Sequence, residues 1–158
     1  MRSIVIVAFL VAANLGCGSR QKNAACTEMA CQNGMRIGFR PSSGVWPKGT
    51  YRFQVLADDA STSCTSTIPL PKPSDKPACA ADYLVLEESG GALPAGPDQS
   101  FGGVQVLRAA EKITVHISRD GHELVTGTYS PNYRSVEPNG PGCPPTCKQG
   151  EEAEIVVP

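Results

Sequence analysis

Tyr51-Arg52-Phe53-Gln54-Val55-Leu56 sets Tyr51, Phe53 and Val55 on one side of the chain and Arg52 and Gln54 on the other. A period of two is the pleat of a half-buried strand, whereas a helix would bring apolar residues back every three or four positions. Lys112-Ile113-Thr114-Val115-His116-Ile117-Ser118 repeats the pattern, with Ile113, Val115 and Ile117 on the apolar face. Asp120-Gly121 follows, a pair that tolerates positive φ and signals a tight hairpin, so Glu123 to Tyr129 is its partner strand.

Working outward, Met35 to Phe39 carries Met35, Ile37 and Phe39 on one face. The turn-rich stretch Pro41 to Gly49 leads into the Tyr51 strand, and Asp58-Asp59 turns the chain into a return strand, Ser63 to Ile68, rich in threonine. Pairing must stop at Pro69, Pro71 and Pro73, which supply no ladder donors. Tyr83 to Glu87, Val104 to Leu107 and Ala153 to Val157 are further strands, and Gly90 to Gln99 is a Gly/Pro loop. No internal repeat, heptad or convincing helix interrupts them. Seven to eight short strands at this spacing predict an all-β fold, an antiparallel sandwich of immunoglobulin-like or prealbumin-like kind.

The first residues have a different character. Met1-Arg2-Ser3 precedes an unbroken apolar run from Ile4 to Ala13, the pattern of a secretory signal. A membrane-spanning helix needs roughly 20 apolar residues, and this run is too short. Asn14-Leu15-Gly16-Cys17-Gly18-Ser19 resembles a bacterial lipoprotein processing site. The resemblance implies cleavage before Cys17, acylation of its sulfur and a membrane partner reached through the lipid; Gly18 in place of aspartate implies sorting to the outer membrane. Gly16 fits that pattern. Asn14 and Leu15 depart from it, which leaves open a non-lipid signal cut after Gly18 or Ala25, and with it a secreted or periplasmic protein. The expected organisation is a signal over residues 1–16, an anchor and tether over 17–25, and the sandwich over 26–158.

Seven cysteines become six once Cys17 is set aside, and an even number in an exported chain reads as a disulfide framework. Cys64 and Cys79 bracket the Pro-rich loop and form one expected pair. Cys26 and Cys31 lie near one end of the domain, Cys143 and Cys147 near the other. Local pairing within each group is sterically open. Cross-pairing is favoured by a matching offset: Cys31 precedes Met35 much as Cys147 precedes Ala153, and first and last strands can run side by side in a sandwich.

Trp46-Pro47-Lys48-Gly49-Thr50-Tyr51-Arg52-Phe53 resembles the turn-then-strand segment of prealbumin-like and carboxypeptidase-regulatory-like domains, structural modules without catalysis of their own. Pro138-Asn139-Gly140-Pro141-Gly142-Cys143-Pro144-Pro145-Thr146-Cys147, with the Cys26/Cys31 pair and the Asp-Gly hairpin, is similar to predicted lipoproteins of myxobacterial genomes, which implies envelope localisation.

Sharper chemistries find little support. Removing Arg2 with the signal leaves 13 basic against 15 acidic residues, with no basic face for nucleic acid. The Cys-x4-Cys and Cys-x3-Cys spacings match zinc knuckles poorly, and oxidation competes for the thiols. Asp58-Asp59 and Asp120 lack the oxygen-ligand spacing of a calcium loop. His116 and His122 are expected on opposite faces of their hairpin. His116, Ser118 and Asp120 lie close in sequence, yet no Gly-x-Ser-x-Gly elbow is present, and no Cys-x-x-Cys redox motif. The carboxylates of Glu87-Glu88 and Glu151-Glu152 are expected to point to opposite sides. The reading is therefore a non-catalytic, cofactor-free binding or structural module.

Overall fold

Alternation becomes burial in the computed structural model, which describes residues 26–71, 78–94, 96 and 98–158. Tyr51, Phe53 and Val55 are fully buried, as are Ile113, Val115 and Ile117 on the adjoining strand. The strands are β1 (Met35–Pro41), β2 (Gly49–Ala57), β3 (Ala60–Ile68), β4 (Ala78–Cys79), β5 (Leu84–Ser89), β6 (Ser100–Val106), β7 (Ile113–Arg119), β8 (His122–Tyr129), β9 (Tyr133–Val136), β10 (Cys147–Gly150) and β11 (Ala153–Val157).

They form an all-β, disulfide-stapled sandwich. One sheet has the order β11-β1-β6-β5, the other β4-β3-β2-β7-β8, and β9 and β10 form a separate two-stranded ribbon. β1 and β11 run parallel, with Phe39 opposite Ile155, and the other neighbours are antiparallel. The immunoglobulin order places its first two strands side by side in one sheet. Here β1 and β2 lie in opposite sheets, and residues 42–48 carry the chain across the top of the sandwich.

That crossing is anchored by aromatic packing. Trp46 is buried with its ring edge-on to Phe101 (5.0 Å between centroids) and to Tyr51 (5.2 Å), and Phe39 stacks on Phe53 at 5.3 Å. Such pairs add about 0.5–1.5 kcal/mol each beyond their burial. The Tyr51 hydroxyl donates to the Pro47 carbonyl at 2.8 Å, which fixes the turn to the strand it feeds. Gly49 is required here, because a side chain would meet the Asp120 carboxylate at 2.6 Å. That carboxylate accepts the Thr50 N–H at 2.8 Å.

Both two-residue hairpin turns use positive φ, at Asp58 (54°), at Asp120 (50°) and at Gly121 (82°). β6 begins at Ser100, earlier than alternation indicates, because Gly102 and Gly103 hide the strand signal. β4, β9 and β10 have two to four residues each and carry no readable period.

Candidate functional site: the clamped base and its polar groove

β1 and β11 both start at one end of the sandwich, and the segments leading into them are cross-linked there. Cys26 pairs with Cys143 and Cys31 with Cys147, at Cα separations of 5.7 and 6.0 Å. The four cysteines thus pair between the two groups. Cys64 pairs with Cys79, its direct cross-strand neighbour on β4, at 4.0 Å. Disulfides persist in oxidising compartments and are rare where thiols are kept reduced, so three of them mark a chain that folds outside a reducing cytosol. Cys17, the expected lipidation residue, lies outside the described residues.

Between the two cross-links sits Asn139, buried and with every hydrogen-bonding position of its carboxamide in use. Its Oδ1 accepts from the Thr27 hydroxyl (2.8 Å) and the Met29 N–H (2.7 Å). Its Nδ2 donates to the carbonyls of Met29 (3.2 Å) and Pro144 (2.7 Å). Composition marks residues 138–147 as a turn region, but nothing in it singles out this asparagine.

β10 is bonded along both edges. β9 pairs with it on one side, and on the other Gly34 donates to the Lys148 carbonyl (2.8 Å) and accepts from Gly150 (2.9 Å). Asn33 Oδ1 takes the Lys148 N–H at 2.8 Å. Gly34 has φ of +113°, and a Cβ there would lie 1.7 Å from the Val106 carbonyl, so only glycine lets these segments meet.

Two shallow hollows adjoin along this ribbon. The first, about 270 Å³, lies between residues 32–36, residues 105–107 and the end of β10; the second, about 370 Å³, is walled by residues 132–134. Gln149, Gly150 and Glu152 line both, making one groove. A further hollow of about 560 Å³ opens behind the ribbon, beside Asp58, Glu111, Tyr133 and Lys148. The Tyr133 hydroxyl accepts the Ala110 N–H at 3.0 Å, which docks the ribbon onto the sandwich.

Arg36 lies flat at the inner wall. Its guanidinium donates to both Glu87 oxygens (2.7–3.1 Å) and to the Gly102 carbonyl (3.1 Å), with Glu152 at 3.6 Å on its far side. Gln105 donates to the same Glu87 carboxylate at 2.8 Å. The hydrogen bonds from Arg36 hold Glu87 below the ordinary carboxylate range, against desolvation, and Glu87 in turn raises Arg36. Glycines lie beneath the pair: a Cβ at Gly38 would come within 3.3 Å of the Arg36 guanidinium, and one at Gly102 would touch Glu87 at ordinary contact distance. A pairing across 51 residues is invisible to local pattern.

The other residues singled out in the sequence fall elsewhere. His116 and His122 lie on the β7–β8 hairpin. His116 Nδ1 bonds the Thr126 hydroxyl at 2.7 Å, with Glu123 at 3.6 Å, and Asp120 is spent on Thr50, so no serine–histidine–aspartate chain forms here. Asp58 Oδ1 accepts the Lys112 N–H at 2.9 Å. Among the described residues no group of three or more His, Cys, Asp or Glu is placed to hold a metal ion. Glu87 and Glu88 diverge as expected, Glu88 bonding the buried Ser66 hydroxyl. Glu151 and Glu152 sit in the short link between β10 and β11, and both line the second hollow.

Comparison with known proteins returns no matching family, no matching curated protein and no matching solved structure. Among the described residues no helix is long and apolar enough to cross a membrane.

Proposed function

We propose that this chain is an exported, lipid-anchored protein of the cell envelope, of the outer membrane by its Gly18, and that its sandwich is a non-catalytic binding module. The clamped base carries this reading. Cys26, where the domain begins, is only nine residues beyond Cys17, so a short polar tether would join the lipid to a doubly cross-linked end. Two or more acyl chains, at about 0.8 kcal/mol per buried methylene, would hold such a domain at a membrane without a spanning helix.

Intact mass of the protein purified from membranes, with and without reductant, tests this. The expected mass is that of the chain from Cys17 with acyl groups, rising by two hydrogens for each of three disulfides on reduction. An unacylated mass starting at Ser19 or Cys26 would reject the anchor. It would support the second reading, a soluble secreted domain that binds a small ligand or inhibits a partner, which the departures at Asn14 and Leu15 favour.

A further inference from the structure

We propose that the groove along β10 is a binding site for a short, uncharged oligosaccharide. The inference rests on reading the chain as an exported binding module and names the class of ligand that module takes.

Three carboxamides carry the argument. Gln32, Asn132 and Gln149 come from three separate segments and line the joined hollows, and their side chains make no hydrogen bond among the described residues. Each offers donors and an acceptor within one planar group, the combination that matches hydroxyls, which both donate and accept. The floor beneath them is backbone, since Gly34 and Gly150 have no side chains and Gly34 permits none. The Tyr133 ring closes one wall, with its Cε1 3.3 Å from where a Gly150 Cβ would lie. It supplies one apolar face among polar neighbours.

Charge separates the candidate ligands. Arg36 is already satisfied by Glu87 and the Gly102 carbonyl and faces Glu152, while Arg134 and Glu151 contribute one charge of each sign. With Arg36 and Arg134 set against Glu87, Glu151 and Glu152, the lining has no excess of cations to draw a phosphate or carboxylate. An extended peptide that binds by strand addition needs a free edge. β10 has none, because β9 and Gly34 occupy both. What remains is recognition by side chains of a neutral, hydroxyl-bearing chain lying along the groove. The Cys31–Cys147 cross-link and the two-sided bonding of β10 hold the site rigid before any ligand arrives, which lowers the ordering cost of binding.

The test is titration of the full oxidised chain in detergent with neutral tetrasaccharides of glucose and of N-acetylglucosamine, followed by calorimetry and amide resonances. A Gly/Ser peptide of similar length is the control. At least one saccharide should bind and shift the Gly34 and Gly150 amides. Gln149→Ala and Gln32→Ala should each weaken it about tenfold, or roughly 1.4 kcal/mol, with melting temperatures unchanged. No binding at millimolar saccharide, binding indifferent to both substitutions, or binding of the peptide alone would overturn the proposal. Cys17→Ala protein should bind equally well; saccharide binding by a natural chain whose intact mass shows no acyl groups would reject the anchor and leave the groove.

Discussion

Asn139 holds Met29 from both sides of one peptide-like group: its Oδ1 accepts the Met29 N–H at 2.7 Å and its Nδ2 donates to the Met29 carbonyl at 3.2 Å. A side chain here takes the place of a neighbouring strand. The residues between Cys26 and Cys31 contain no strand, so their backbone polar groups have no ladder partner. One asparagine across 110 residues of sequence supplies partners for both groups of Met29.

Asn139→Ala should therefore destabilise the domain by about 1–3 kcal/mol, through loss of the four part-buried hydrogen bonds its carboxamide makes. Thermal melting of the oxidised protein checks this, and an unchanged midpoint would show that water replaces the carboxamide.

The two cross-links at the base should be strongly non-additive. They close loops of 117 and 116 residues, so either one alone constrains the unfolded chain almost as both do. Cys26→Ser with Cys143→Ser should cost little. Removing all four cysteines should cost about 4–5 kcal/mol on the chain-entropy account. The Cys64–Cys79 bond spans 15 residues, and its loss should cost about 3 kcal/mol regardless of the others. Denaturant midpoints of the single, double and combined variants measure each term.

Gly103→Ala should be among the most damaging small substitutions. Gly103 has φ of +153°, and its Cβ would fall 2.4 Å from the Ile37 carbonyl oxygen of the adjacent strand. Backbone strain combined with a broken β1–β6 ladder should exceed about 2 kcal/mol. Gly121→Ala meets no atom within 4 Å and carries only its positive φ, so it should be milder in the same melt.

Glu87 predicts a pH dependence. Its folded-state titration lies below the ordinary carboxylate value, so its stabilising contribution is present above the unfolded pKa. That contribution is lost as the pH falls through the lower folded value. Glu87→Gln should flatten the acid limb of stability below about pH 4.5, with the difference from the natural protein under about 1 kcal/mol because the pair is partly solvated. Urea midpoints across that range would show it; parallel curves would mean the pair contributes nothing.

Much of the sandwich was legible because period two survives in β2, β7 and β1, where one face is buried and the other is wet. The parallel meeting of β1 and β11 was legible too, through the matching offsets of Cys31 and Cys147. The two-residue turns at Asp58 and Asp120 carried their own signals. What stayed hidden has physical causes. Gly102 and Gly103 disguise half of β6: Gly102 lies beneath the Arg36–Glu87 pair, and Gly103 takes a positive φ against the Ile37 carbonyl of β1. β9 and β10 are too short for alternation and are fixed by Gly34, Tyr133 and a disulfide. The groove draws on Gln32, Asn132 and Gln149, which are unremarkable in sequence and come from segments far apart in the chain.

That tie also decides how the domain would bear a load. A chain pulled from its N-terminal side would ordinarily peel its first strand away one ladder bond at a time. Here tension arriving at Cys26 divides at once, because its side-chain sulfur is joined to Cys143, and it divides again at Cys31 and Cys147. β1 and β11 would then be drawn in the same direction, side by side, with their mutual hydrogen bonds unstretched. A load at Cys26 would thus be shared between the two ends of the domain, and β1 could not be drawn away from β11 without working against both cross-links.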